Sequence, residues 1–132
     1  MKILADTNIL ISSLLYPDSK PCLALLCAAD CYELVLTDYN IDELHRVSET
    51  KFPTKLPDVD ALLAKLSFEL VAAPMSAQKL IADPKDAPIL NAALIAEVDI
   101  IISGDKHFLQ LNMERPEVLT AAEFLERYAA AE

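Results

Sequence analysis

The chain has 132 residues, 54% hydrophobic and 24% charged, which fits one domain (1–132) with its own core and excludes disorder and collagen-like structure. Its single glycine, Gly104, excludes the glycine-rich phosphate loops GxGxxG and GxxxxGK[ST] and the GxSxG nucleophile elbow. With 11 Lys+Arg against 21 Asp+Glu and a formal charge of −10, it is not a protein that holds nucleic acid or membrane by charge alone, unless carboxylates bind cations and invert the local field.

In chain order, Ile3-Leu4-Ala5 reads as a strand ending at Asp6, followed by a helix through Ile9, Leu10, Leu14 and Leu15. Ser19 with Pro21 opens a second helix, Cys22 to Asp30, with proline in its tolerated first turn. Leu34-Val35-Leu36 is a second strand, and Thr37 caps a helix carrying Ile41, Leu44 and Val47. The stretch Phe52 to Asp58 has two prolines and two lysines and reads as a surface excursion. Val59 to Leu70 follows as an amphipathic helix that passes into a short strand, Leu70-Val71-Ala72. Pro88 marks the first turn of a helix to about Glu97. Ile100-Ile101-Ile102 is a buried strand ending in Ser103-Gly104-Asp105, and a short helix, Lys106 to Leu111, comes next. Glu117-Val118-Leu119 is a last strand, after which Thr120 and Glu123 form a capping box for a terminal helix. Strands apolar on both faces and separated by helices predict a three-layer α/β/α fold around a central parallel sheet.

Cys22, Cys27 and Cys31 match no common zinc spacing and read as small apolar core residues. Their odd number and the early Asp6, which interrupts any signal-peptide segment, predict a reducing, cytoplasmic setting. No apolar run approaches the ~18 residues that cross a bilayer, so no membrane is expected.

Functional groups of open parallel sheets gather at the carboxyl ends of the strands. Asp6 follows the first strand and Asp105 the late one, so parallel strands bring both to the same edge. Like charges meeting in a partly desolvated cleft call for a shared proton or a cation. Each acid also has a plainer reading as a helix cap. At ~100° per residue, Glu43 falls at the margin of the apolar arc of Ile41, Leu44, Val47 and Phe52, where it is either a solvated acid or one looking toward the sheet edge. Asp83 and Asp86 precede the helix start at Pro88, either as caps or as ligands. Taken together, converging carboxylates suit hard divalent ions, Mg²⁺ or Mn²⁺.

Leu4-Ala5-Asp6-Thr7-Asn8, Glu43-Leu44 with Val47, Asp83-Pro84-Lys85-Asp86 and Ile102-Ser103-Gly104-Asp105 together resemble the PIN domain family, most closely its small bacterial toxins of the VapC ribonuclease type. The likeness extends over nearly the whole chain, with Ser103 standing where many relatives carry threonine. The resemblance implies an endoribonuclease using one or two Mg²⁺ or Mn²⁺ ions, with Asp6, Glu43, Asp86 and Asp105 as catalytic metal ligands. Thr7, Asn8, Asp83 and Ser103 support the pocket, whereas Asp99 is structural. The resemblance also implies an antitoxin protein that covers the cleft. Arg46, Lys85, Lys106 and His107 are candidate contacts to RNA phosphates, and a homodimer pairing two such basic strips is the expected assembly. The competing expectation is a catalytically silent PIN fold that binds RNA or protein. Two other acidic α/β folds fit poorly. A phosphoacceptor receiver needs adjacent acids after the first strand, where Thr7 follows Asp6, and a haloacid-dehalogenase-like phosphatase needs an acid where Asn8 stands.

Overall fold

Three consecutive isoleucines with no polar side chain between them cannot lie on a solvated sheet face, and Ile100, Ile101 and Ile102 are at most 2% exposed. They form β4 in a computed structural model that describes residues 1–73, 87–110 and 115–129. The sheet has five strands, β1 (Lys2–Ala5), β2 (Glu33–Thr37), β3 (Glu69–Val71), β4 (Ile100–Ile102) and β5 (Glu117–Leu119). Their order is β3-β2-β1-β4-β5, and every pairing is parallel, with Leu4 opposite both Val35 and Ile101.

Because side chains alternate along a strand, the buried residues divide between two cores. Ile3, Ala5, Leu34, Leu36, Ile100, Ile102 and Leu119 face one side. They pack there with α1 (Thr7–Leu15), α2 (Lys20–Cys31), α4 (Leu56–Lys65) and α7 (Ala121–Phe124), joined by Leu44 of α3 (Asp38–Lys51). Leu4, Val35 and Ile101 face the other side, against Ile89, Leu90 and Ala93 of α5 (Ala87–Ile95) and Phe108 of α6 (Lys106–Leu109). This is the three-layer parallel α/β/α architecture expected from the sequence.

The expected caps form. The Ser19 hydroxyl accepts from the Cys22 amide at 3.4 Å, and Thr120 and Glu123 make the reciprocal capping box at 3.1 and 3.0 Å. Past the end of α5, Glu97 adopts a left-handed φ of 56°. Its amide donates to the Leu94 carbonyl and that of Val98 to the Ala93 carbonyl, the bonding of a Schellman C-cap, a place where glycine is usual.

Some expectations need correction. The stretch 52–58 is not simply an excursion: a 3-10 turn, Pro53–Lys55, runs straight into α4 at Leu56. Pro57 occupies the first turn of that helix, where its missing N–H costs nothing. The same helix ends at Lys65, not Leu70, because Leu66 turns extended (φ −85°, ψ 136°) and leads into β3. α6 stops at Leu109, and Leu111 lies outside the described residues. Among the cysteines only Cys22 is buried; Cys27 is half-buried against the core and Cys31 is exposed, so the core reading holds fully for one of the three. Among the described residues, no single helix is long and apolar enough to cross a membrane.

Candidate functional site

From β1 the chain moves to β2 and β3 on one side and returns to β4 and β5 on the other. The crevice between β1 and β4, at their carboxyl ends, is therefore the switch point where parallel sheets carry their sites. Asp6 stands there. Its amide donates to the Ile102 carbonyl at 3.1 Å, extending the β1–β4 ladder by one rung, so backbone pairing fixes where the side chain leaves the sheet.

The Asp6 carboxylate is 2% exposed. Oδ1 accepts from the Ile9 amide at 3.0 Å, capping α1, and Oδ2 accepts from the Ser103 hydroxyl. Ser103 Oγ in turn accepts from the Asp105 amide at 2.9 Å. The serine is thus a relay that ties the loop bearing Asp105 to the buried acid. The cap and cleft readings of Asp6 are not exclusive, since a carboxylate has lone pairs to spare after two hydrogen bonds.

Burial pushes the Asp6 carboxyl up to about 6, against the opposing pull of the Ser103 and Ile9 hydrogen bonds. The negative charges of Asp105 and Glu43 push the same way. The acids after β1, after β4 and on α3 thus lie close enough for their repulsion to be felt at Asp6. Glu43 is half-buried, as its place at the margin of the apolar arc predicts, but the arc itself is mis-set. The buried stripe of α3 is Asn40, Leu44 and Ser48, whereas Ile41, Val47 and Phe52 are half-buried. Glu43 and the exposed Arg46 line an open groove of about 790 Å³ along α3, together with Tyr39, Thr50 and Lys51.

Of the supporting residues, Ser103 and Thr7 are buried at the cleft and Asn8 is exposed, as is Lys106 among the candidate RNA contacts. His107 belongs to α6 by its backbone. Asp83, Lys85 and Asp86 lie outside the described residues. Asp99 sits at the opposite end of β4, where it accepts from the Lys2 amide at 2.9 Å and pairs with Arg115 at 3.1 Å. The hydrogen bond and the guanidinium hold its carboxyl below the usual range, and its place far from the cleft fits the structural role expected for it. Sequence reasoning missed Asn40, which is fully buried and donates to Thr7 Oγ1 at 3.0 Å. The signal was present in Thr37-x-x-Asn40, a capping-box spacing with a short amide in place of the usual Glu or Gln.

An all-oxygen donor set with mutual repulsion fits a hard divalent cation in its chemistry. Among the described residues, no three His, Cys, Asp or Glu side chains are grouped so as to hold a metal ion.

A parallel α/β sheet with acids at its switch point defines the class of fold, and comparison with known proteins narrows it. A family model described as the PIN domain matches residues 2–107, and the chain belongs to that family. Its fold is similar to that in the crystal structure of VapBC2 from Rickettsia felis bound to a DNA fragment from their promoter. That match has a TM-score of 0.69 at 13% identity and covers 91% of this chain and 98% of the other. No curated protein matches the chain.

Proposed function

We propose that this protein is a metal-dependent endoribonuclease and the toxin of a toxin–antitoxin pair. The observation that carries the reading is the convergence on Asp6. A buried carboxylate at the switch point feels both Asp105 and Glu43 in a chain of the PIN domain family. Asp6, Glu43, Asp105 and Asp86 are the residues that would hold Mg²⁺ or Mn²⁺, one ion or two. When bound, such an ion supplies Lewis acidity toward water and toward a phosphodiester.

The chain's own residues prepare that site. Ser103 and the Ile9 amide fix the Asp6 carboxylate in one orientation, leaving its remaining lone pairs for a cation. The Ser103–Asp105 hydrogen bond sets the loop from which the second acid projects. Burial of Asp6 at the start of α1 limits the screening of its charge by bulk water. Arg46, beside Glu43 in the open groove, supplies a phosphate contact in a protein that is otherwise strongly acidic, and Lys85, Lys106 and His107 are assigned the same role. An antitoxin partner is supported by the resemblance in fold to a VapBC complex, and a cytoplasmic homodimer completes the proposal.

The test is to incubate purified protein with labelled RNA, with and without Mn²⁺ or Mg²⁺, beside Asp6→Asn and Asp105→Asn variants. Cleavage that needs the metal and is lost in both variants is expected. Wild-type protein that binds RNA without cutting it under any metal condition would establish the silent binding module instead. Cutting that survives unchanged in both variants would place the chemistry elsewhere.

A further inference from the structure

The parallel β1–β2 pairing fixes the two strand ends, but it does not fix how far α3 is rotated about its own axis. That rotation sets where Glu43 stands, and a polar strut beneath the cleft controls it. Asn40 is 0% exposed, Thr37 0% and Thr7 4%. Asn40 Oδ1 accepts from the Thr37 amide at 3.1 Å and from the Thr37 hydroxyl at 2.7 Å. The Asn40 amide donates to Thr37 Oγ1 at 2.9 Å, and Asn40 Nδ2 donates to Thr7 Oγ1 at 3.0 Å, thirty-three residues away in sequence. A helix cap alone requires only an acceptor at this position, which Glu or Gln commonly supplies. A short amide adds a donor on its other side, and that donor is spent on a different helix.

We infer that Asn40 is a positioning residue: through Thr7 its carboxamide locks the first turn of α3 onto the first turn of α1, and so sets Glu43 relative to Asp6. Thr7 directly follows Asp6 and moves with it. Glu43 lies three residues after Asn40, one turn along the same face. The strut therefore connects the residue next to one acid with a residue one helical turn from the other, and the charges of the two acids already act on one another. It lies in a dry layer, where losing one partner strands a buried donor and leaves the helix free to roll. Misplacing a reacting group by as little as ~1 Å can cost on the order of a hundredfold in rate.

The role assigned to Asn40 rests on the ribonuclease reading of the site, and its test separates the two. Thr7→Val is nearly isosteric and removes only the inter-helix acceptor, leaving the Thr37–Asn40 capping box intact. Thr7→Ser keeps the hydroxyl. Three measurements are made on wild type and both variants: Mn²⁺ affinity by titration calorimetry, kcat and KM for RNA cleavage, and amide hydrogen exchange across α3. Thr7→Val is expected to weaken Mn²⁺ binding and lower kcat, each by roughly tenfold or more, with KM for RNA within about twofold. Thr7→Ser should restore both. Exchange should quicken in the first two turns of α3, with β1 and β4 unchanged. Wild-type Mn²⁺ affinity and kcat in Thr7→Val, or equal impairment in Thr7→Ser, overturns the inference. Should wild-type protein neither bind Mn²⁺ nor cut RNA, the ribonuclease reading fails by itself. The strut is then decided by exchange: selective loss of protection in α3 upholds it, and unchanged protection refutes it.

Discussion

The hydroxyl of Ser103 donates to Asp6 Oδ2 across ninety-seven residues of sequence while accepting from the Asp105 amide. One oxygen therefore sets both the orientation of the buried acid and the path of the loop that carries its neighbour. Ser103→Ala removes both bonds. It should lower metal-dependent RNA cleavage by roughly ten- to a hundredfold, whereas Ser103→Thr should stay within about threefold of wild type because the hydroxyl is preserved. Steady-state cleavage rates at saturating Mn²⁺ check this. Equal activity in the alanine variant would remove the serine from the machinery.

Asp6 also makes stability depend on pH. Folding raises its carboxyl from 3.8 to about 6, so in that interval the native state binds more protons than the unfolded chain. Stability contributed by this group is therefore present near pH 4 and lost as pH rises through 6. Without added metal, Asp6→Asn should match wild type near the lower limit. At pH 7.5 it should exceed wild type by roughly 3 kcal/mol, a rise in Tm on the order of ten degrees. Thermal melts across this range, compared as differences between the two proteins, isolate the effect from the other acids. A gap that does not change with pH contradicts the assignment.

Gly104 lies between the relay serine and Asp105, yet its φ is not left-handed and a Cβ there would meet no atom within 4 Å. Nothing in the fold requires a glycine. Gly104→Ala should keep full stability or gain up to ~1 kcal/mol through reduced freedom of the unfolded chain. Denaturant unfolding measures this. If the stable variant shows a raised KM for RNA, the open space serves the substrate.

The reverse substitution applies at Glu97, an exposed side chain held at a φ of 56° in the C-cap of α5. Glu97→Gly should stabilise the protein by roughly 1 kcal/mol, because the left-handed conformation strains every residue with a Cβ. The midpoint of urea denaturation should rise with unchanged slope. A fall would show that the arginine contact to the Glu97 carbonyl, 3.0 Å from Arg115, depends on the native residue.

The parts of this molecule that were legible in the sequence have short-range causes. A β-branched apolar triplet such as Ile100-Ile101-Ile102, bounded by Ser103-Gly104, reads as a buried strand, and Ser19, Thr37 and Thr120 announce helix starts by local hydrogen bonding. Asp6 and Asp105 fall at one edge because each follows a strand and the two strands pair in parallel. What depends on three dimensions was read less well. Pro57 looked like a break and is a first-turn proline. Apolar spacing points to an arc of α3 through Ile41 and Val47, while the buried stripe contains Asn40 and Ser48. A periodicity of apolar residues cannot reveal a helix whose core face is partly polar, because the buried Asn40 is satisfied by Thr37 beside it and by Thr7 on a different helix.

The central place of β1 has a consequence for how the protein comes into being. One of the strands flanking it, β4, with Ser103 and Asp105 beyond, follows β1 in translation by nearly a hundred residues. A nascent chain that stalls between the two carries Asp6 without Ser103 or Asp105 across from it. The cleft is therefore complete only once β4 has joined the sheet beside β1.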